Sequence, residues 1–87
     1  MNVEIRNSFV KDAKTLPPSK RILLEKTIRD IMDKKQLSEL TSCKKLTGFK
    51  TAFRIRFGSY RIGVFYENET LELVRVLSRK DIYKYFP

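Results

Sequence analysis

The stretch Thr51-Ala-Phe-Arg-Ile-Arg-Phe-Gly-Ser-Tyr-Arg-Ile62 decides the fold of this chain. Apolar and polar residues alternate along it, the alternation stops at Gly58-Ser59, and it then resumes. Two alternating runs joined by a two-residue Gly-Ser loop predict a β-hairpin with a type II′ turn. We therefore expect a small antiparallel sheet at the centre of the fold.

The hairpin is predicted to gather three arginines on one face of the sheet. If Phe57 and Tyr60 flank the turn, Arg56 stands opposite Arg61. Arg54 joins them because strand side chains alternate between faces with a period of two. Like charges directly opposite each other destabilise a sheet. We therefore expect these arginines to hold an anion, and a polyanion is the simplest choice.

Composition and charge bound the fold and the kind of partner. The 87 residues correspond to one domain, residues 1–87, and a hydrophobic content of 41% predicts an ordered globular chain. Nineteen basic and ten acidic residues give a formal net charge of +9. A domain this basic indicates a nucleic acid or an acidic protein as partner, although a basic protein without a polyanionic ligand has the same composition.

The N-terminal segment predicts a strand followed by a helix. Val3 and Ile5 alternate with polar neighbours, as in a short strand. Ser8 is placed to cap the helix, and Pro17-Pro18 ends it, so that the next helix begins at the second proline or the serine after it. The apolar face of this first helix is predicted to consist of Phe9, Ala13 and Leu16.

Residues 19–35 carry the strongest helix signal in the chain. Cations occupy most of the positions outside its apolar face, as on a solvated helix surface. Residues 37–43 predict a short irregular or helical link, with Ser38 as a cap and Leu40 packed inward. The apolar face of the long helix is predicted to consist of Leu24, Ile28 and Ile31.

The C-terminal half predicts three strands in meander order. An extended piece at Lys45-Leu46 precedes them, and a basic, aromatic tail follows as a helical turn or an extended arm. The element order is thus β-α-α-β-β-β, an α+β fold in which two antiparallel helices cover one face of a mainly antiparallel sheet. The predicted strands are Ala52–Phe57, Tyr60–Tyr66 and Leu71–Leu77.

The sequence excludes most kinds of catalytic chemistry. It contains no histidine and a single cysteine, Cys43, which we expect to be a half-buried apolar filler. Its glycines lack the spacing of a phosphate-binding loop, and its acidic residues form no metal-binding cluster. We therefore expect no cofactor and no metal ion. No apolar stretch resembles a signal peptide or a membrane span, so we expect a cytoplasmic protein with no membrane partner.

The chemistry that these exclusions leave is phosphoryl transfer assisted by arginine side chains. A guanidinium group binds phosphate through a planar fork and stays charged at physiological pH. Such groups stabilise the charge that develops at phosphorus during transfer. RNA supplies its own nucleophile, the 2′-hydroxyl, so an enzyme that aligns it needs no nucleophile of its own. Aromatic residues among Phe53, Tyr60, Phe65, Tyr66, Tyr83, Tyr85 and Phe86 offer faces for splayed bases, although most of them are expected in the core.

Three motifs resemble the RelE/ParE toxin superfamily of type II toxin–antitoxin systems. They are Lys44-Lys45-Leu46-Thr47-Gly48, the hairpin return Tyr60-Arg61-Ile62, and Arg79-Lys80-Asp81-Ile82-Tyr83. The resemblance covers nearly the whole chain and is best over residues 44–83. It implies a microbial-ribonuclease-like fold and a toxin neutralised by a cognate antitoxin. The RelE branch, which the chain resembles more, enters the ribosomal A site and cleaves the mRNA codon there.

The resemblance also implies roles for individual residues. Arg61 neutralises the scissile phosphate, and Arg56 and Arg54 bind and orient the RNA backbone and help to activate the 2′-hydroxyl. Arg79 stabilises the leaving 5′-oxygen or aids its protonation, and Tyr83 stacks on or orients a base. We add Lys45, Lys50 and Lys80 as RNA-binding residues. RelE itself favours lysine at the two strand positions that hold arginine here, and a guanidinium is a poor general base. Electrostatic stabilisation is therefore expected to carry most of the catalysis.

Each role has a plainer alternative. Arg54 and Arg56 would be ordinary solvent-facing strand residues, and Arg61 would contact only an antitoxin. Arg79 would pair with Asp81 on the surface, and Tyr83 would plug the core. At the level of the whole chain, the alternatives to an mRNA endonuclease are a ParE-like toxin that inhibits DNA gyrase without cutting RNA, and an RNA-binding relative that has lost activity.

Overall fold

A computed structural model describes all residues, 1–87, as five strands, three α-helices and a short 3-10 helix. The single sheet has the strand order β1-β5-β4-β3-β2, with β1 parallel to β5 and all other neighbours antiparallel. The elements along the chain are β1 (Asn2–Ile5), α1 (Asn7–Lys14), α2 (Pro18–Met32), the 3-10 helix (Leu37–Glu39), β2 (Cys43–Lys45), β3 (Ala52–Phe57), β4 (Tyr60–Glu67), β5 (Thr70–Ser78) and α3 (Arg79–Tyr85).

The β3–β4 hairpin has the predicted register. Phe57 pairs with Tyr60, and Arg56 pairs with Arg61. Gly58 has a φ of +56°, the left-handed value that the first central residue of a type II′ turn requires. The alternation of the sequence therefore sends Ile55 and Phe57 to one face of the sheet and the arginines to the other.

Helices α1 and α2 cover the apolar face of the sheet, as predicted. Their buried side chains come from the predicted apolar stripes, and at 25 cal/mol per Å² each fully buried aliphatic chain contributes about 1.5–3 kcal/mol. This core stabilises the sheet, whose opposite face carries the arginines. It consists of Phe9, Leu16, Leu24, Ile31, Ile55, Phe57, Ile62, Val64, Leu71, Leu73 and Val76.

Helix α1 also closes an open edge of the sheet. Strand β1 pairs only with the first part of β5, so the β5 backbone after Leu73 has no strand partner on that edge, while its other edge pairs with β4. The hydroxyl of Ser8 donates to the carbonyl oxygen of Val74 at 2.6 Å, and the carboxylate of Asp12 accepts from the amide of Val76 at 3.1 Å. The prediction that Ser8 caps the helix is therefore wrong, because its hydroxyl is directed to the strand edge and Arg6 occupies the cap position.

Helix α3 packs against the second face of the sheet. Ile82 and Phe86 of this C-terminal segment form a small core with Ala52 and Val74. Phe86 lies so close to Gly63 that a β-carbon there would stand 2.5 Å from the ring. The register of β4 and β5 shifts beside this glycine, so the backbone is irregular where the ring docks.

Several predicted boundaries are corrected. The observed order adds β2 and α3 to the predicted β-α-α-β-β-β, while the α+β class stands. The long helix ends at Met32 instead of residue 35, and Gln36, not Ser38, caps the 3-10 helix. The extended piece forecast at Lys45-Leu46 is β2, which begins at Cys43 because its backbone pairs with β3 from there. No helix has the length and apolar character needed to cross a membrane.

The contact between Gly63 and Phe86 makes a stability prediction. Gly63→Ala is expected to lower the free energy of unfolding by about 1–3 kcal/mol, because the added methyl overlaps the ring. Urea denaturation followed by circular dichroism measures the change. Phe86→Leu is the partner variant: in that background the same glycine substitution is expected to cost less, since the obstructing ring is gone. Equal costs in both backgrounds would contradict the contact.

Candidate active site

A cavity of about 470 Å³ opens on the sheet face that α3 leaves uncovered. Strands β2, β3 and β4 and the start of α3 contribute to its wall. Five of its lining residues are cations and none is a carboxylate, so its charge is uncompensated. No group of histidine, cysteine and acidic residues anywhere in the chain is arranged to hold a metal ion. The nine lining residues are Thr41, Ser42, Cys43, Lys44, Arg54, Arg56, Arg61, Arg79 and Tyr83.

The hairpin turn fixes the side chain of Arg61. Its Nη1 donates to the carbonyl oxygens of Gly58 at 3.1 Å and of Tyr60 at 2.8 Å. Partial burial lowers the pKa of Arg61, and the neighbouring charges of Arg56 and Arg79 lower it further. Both causes act because the charged form is held where water solvates it less and other cations repel it. An anion that binds here would relieve the repulsion.

The same turn holds the beginning of α3. The amide of Arg79 donates to the carbonyl oxygen of Ser59 at 3.0 Å. The hydroxyl of Ser78 caps the helix by accepting from the amide of Asp81 at 3.1 Å. These two contacts set the direction of the helix, so that Arg79 and Tyr83, four residues apart on one face, both line the cavity.

Tyr83 stacks against Arg54 at the rim of the cavity. The guanidinium carbon of Arg54 lies 4.5 Å from the centre of the ring. Arg54 lowers the pKa of the Tyr83 hydroxyl, first through hydrogen bonding to the phenol oxygen and then through its charge, and Arg79 and Arg61 add to the effect. The side chain is 63% exposed, so the alternative of a core plug is wrong. The alternative pairing of Arg79 with Asp81 is also absent from the ion pairs of the structure.

The predicted site residues fall into two groups. Arg54, Arg56, Arg61, Arg79 and Tyr83 line the one cavity. The remaining three do not: the hollow next to the β2–β3 loop is lined by Lys45 and Lys50, and Lys80 lines neither concavity. The structure thus separates a compact arginine cluster from lysines that adjacency in sequence had grouped with it.

Lys44 is the one cation of the cavity that the predicted site omits, and Thr41, Ser42 and Cys43 are omitted lining residues without a charge. Strand β2 pairs with β3 so that Lys44 stands opposite Arg54, on the same face. The sequence signal for Lys44 is weak, because the run Cys43–Lys45 is short; once it pairs with β3 as an edge strand, the period of two directs Lys44 into the cluster. Beside it, burial raises the pKa of the Cys43 thiol to about 11, which keeps that group protonated and agrees with an apolar filler.

The arrangement suits an electrostatic task. Arginine side chains from two strands and a helix converge on one cavity, and each presents a planar fork of donors. Their backbones are hydrogen-bonded in the sheet or at a capped helix, so little reorganisation accompanies the binding of an anion. The cavity can therefore hold a phosphate group and stabilise additional negative charge on it.

The pairing of Arg56 with Arg61 makes a second prediction. Arg56→Gln is expected to raise the free energy of unfolding by a few tenths of a kcal/mol at low salt, because it removes a like charge directly opposite another. Urea denaturation at 20 mM and at 500 mM sodium chloride measures the gain, which salt should screen. Lys26→Gln, on the exposed side of α2 and in none of the ion pairs of the structure, is the matched control. A loss of stability at low salt would contradict repulsion across the hairpin.

A third prediction concerns the titration of Tyr83. Arg54→Gln is expected to raise the pKa of Tyr83 towards the ordinary tyrosine value, because the cation that favours the phenolate is removed. Nuclear magnetic resonance of ring-labelled tyrosine measures the pKa, and Tyr83→Phe identifies the signal. Arg29→Gln should leave the titration unchanged. A Tyr83 pKa that is the same with and without Arg54 would show that the two groups do not interact in solution.

Comparison with known proteins places the chain among toxins. No protein-family model matches it. Toxin RelE3 of Methanocaldococcus jannaschii is 39% identical over 88 residues, which span 100% of both chains. Putative toxin RelE1 of the same organism is 30% identical over 81 residues, 92% of this chain and 90% of the other.

A solved structure agrees with these relatives. A chain in the crystal structure of the RelB-RelE antitoxin-toxin complex from Methanococcus jannaschii superimposes with a TM-score of 0.79 and 36% identity. The match covers 97% of this chain and 99% of that one. Identity of this degree over the full length, together with the shared fold, shows that the chain belongs to the RelE family of toxins.

Proposed function

We propose that this chain is the toxin of a type II toxin–antitoxin pair and cleaves mRNA in the ribosomal A site. The observation that carries the proposal is the cavity itself, in which four arginines and a lysine face an exposed tyrosine without any carboxylate. Such a wall attracts phosphate and repels metal ions. A metal-independent endonuclease that uses the 2′-hydroxyl of its RNA substrate fits this chemistry.

The proposed reaction transfers the phosphoryl group within the RNA strand. The 2′-hydroxyl gives its proton to solvent water as its oxygen attacks phosphorus, and the bond to the 5′-oxygen breaks as that oxygen takes a proton from solvent water. The products are a 2′,3′-cyclic phosphate and a free 5′-hydroxyl. The cations act on the charge that builds up at phosphorus, and they remain protonated throughout because a guanidinium does not lose its proton near neutral pH.

The geometry supports a division of labour within the cluster. Arg61, fixed by two carbonyl oxygens, binds the scissile phosphate with little loss of conformational freedom. Arg56 and Arg54 orient the backbone on either side of it. Arg79, on the first turn of α3, stabilises the leaving 5′-oxygen. Tyr83 offers its exposed ring to a base, as aromatic side chains do with single-stranded RNA.

The cavity is open, so it suits a substrate that is already held in place, such as an mRNA codon in the ribosomal A site. Most of the lining side chains are exposed or only half buried, so the cavity encloses little of a ligand by itself. The ribosome would supply the missing restraint by presenting the mRNA single-stranded and in fixed conformation. This division of positioning between two partners explains why cleavage is proposed to depend on translation.

A cognate antitoxin is the second proposed partner. The RelB-RelE structure that resembles this chain is an antitoxin–toxin complex. The excess of basic over acidic residues favours an acidic antitoxin segment, since complementary charge steers association and fixes orientation. Such a segment would inhibit by covering the cavity or by displacing α3, which carries both Arg79 and Tyr83.

Programmed ribosomes test the proposed activity directly. The unmodified chain is expected to cut mRNA within the A-site codon, as seen by primer extension. Arg61→Ala and Arg79→Ala are each expected to slow single-turnover cleavage by about 100-fold or more, the usual effect of removing one donor to a developing oxyanion. Arg29→Ala, an exposed arginine on α2 that lies outside the cavity, is expected to stay within twofold.

Two outcomes would contradict the proposal. Full cleavage by Arg61→Ala would show that the phosphate is not bound by this cluster. Growth arrest with intact mRNA and accumulating breaks in gyrase-bound DNA would instead indicate a toxin of the ParE kind. A sample purified in the same way from cells that do not express the chain separates both outcomes from a contaminating nuclease.

A further inference from the structure

We propose that the loop between β2 and β3 is a second binding subsite for single-stranded RNA, separate from the cavity. In this subsite one base stacks on Phe49, and Lys45 and Lys50 hold the phosphates beside it. The proposal rests on the proposed function for the identity of the ligand as RNA. It goes beyond that function because none of these three side chains lines the cavity.

The loop is a preformed structure. The amide of Leu46 donates to the carbonyl oxygen of Ala52 at 2.9 Å, which closes the loop at its base. The amide of Phe49 donates to the carbonyl oxygen of Leu46 at 3.3 Å, and Gly48 has a φ of +86° between them. This is the geometry of a type II turn, which requires a positive φ at its third residue. Phe49 therefore stands on a fixed turn, and ligand binding need not order it.

Part of the ring of Phe49 is exposed to solvent. Its side chain is 48% exposed. The two other exposed aromatics each face a cation within the protein, Tyr83 at Arg54 and Tyr85 at Arg75. Phe49 takes part in no such contact and in no ring–ring contact. The exposed part of its ring is accessible to a base, and stacking of bases on aromatic side chains strengthens the binding of single strands.

The charge around the loop favours a phosphate chain. Residues 40–66 contain no aspartate or glutamate, and Lys45, Phe49 and Lys50 all line the loop hollow of about 400 Å³. None of the three ion pairs of the structure involves these lysines. An acidic peptide would match the charge but does not carry a flat ring beside every negative charge, as a nucleic acid strand does. A nucleic acid strand matches both features at once.

The subsite is continuous with the cavity through edge strand β2. Lys44 lines the cavity and Lys45 lines the loop hollow, so two consecutive residues direct their side chains to opposite faces of the last strand. An extended chain of five residues spans at most about 18 Å, and the turn makes the distance from Lys44 to Phe49 shorter. An RNA strand leaving the cavity would therefore cross the sheet edge at Lys44 and reach Phe49 next.

Binding of uncleavable RNA of two lengths tests the subsite without relying on catalysis. The probes are fluorescent 2′-O-methyl RNAs of three and seven nucleotides, measured by anisotropy. Phe49→Ala is expected to weaken binding of the longer probe about tenfold and of the shorter probe less than twofold, because only the longer strand reaches the loop. Phe49→Tyr should restore the affinity, and Ile22→Ala, which removes an exposed apolar side chain on α2, should change neither.

The salt dependence of RNA binding tests the role of Lys45 and Lys50 independently. Lys45→Ala and Lys50→Ala are each expected to reduce the dependence of log K on log salt by about 0.7 for the longer probe, the contribution of one phosphate contact in a single strand. The shorter probe should keep its slope. Lys26→Ala on α2 is the matched control, and a slope for the longer probe that is insensitive to both loop lysines would overturn the assignment of phosphates to them.

The remaining outcomes are also decisive. Equal binding of both probes by Phe49→Ala and the unmodified chain would overturn the subsite. Equally weakened binding of both probe lengths would also overturn the subsite, because that result would place Phe49 in the cavity. A binding defect seen only with duplex RNA or with a protein partner would overturn it as well. If the length-dependent effect appears while the chain cuts no mRNA on ribosomes, the subsite stands and the proposed function fails.

Discussion

The Gly58-Ser59 turn is the constraint on which the site depends. Its geometry fixes the register of β3 against β4, and a slip of one residue would send every side chain of a strand to the opposite face. The two carbonyl oxygens of the turn also accept hydrogen bonds. That of Gly58 accepts from the side chain of Arg61, and that of Ser59 accepts from the amide of Arg79. One tight turn thus positions a strand arginine and the start of the last helix together.

The cavity concentrates like charge, and the rest of the fold tolerates it. The arginines stand on the outer face of a sheet whose other face is sealed by α1 and α2, so the repulsion acts mainly through solvent, where it is weak. On the edge away from the cavity, charge is paired: Arg75 forms a bidentate contact with Asp12, which also closes the backbone of β5. The cations that line the cavity have no acidic partner there, whereas Arg75 is paired with Asp12. This difference marks the cavity as the place for an anionic ligand.

The alternation of residues was enough to predict much of the site. It located the hairpin, the pairing of Arg56 with Arg61 and the side of the sheet on which Arg54 lies. It did not place Lys44 in the cavity, because β2 is only three residues long and its strand character comes from pairing with β3. Lys45 and Lys50 were predicted to bind RNA together with the arginines, but neighbouring strand residues face opposite ways and Lys50 lies on the loop, so neither lysine lines the cavity.

The sequence by itself determined the elements whose information is local: the apolar periodicity of the helices, the break at Pro17-Pro18, and the hairpin with its arginines on one face. Only the tertiary structure decided where the C-terminal tail goes, since the tail has the composition of either a helix or an arm. The ring of Phe86 docks on Gly63, and that long-range contact holds α3 where Arg79 and Tyr83 meet Arg54 and Arg61. Short-range preferences set the strands and helices, but the cavity exists because residues far apart in sequence pack together.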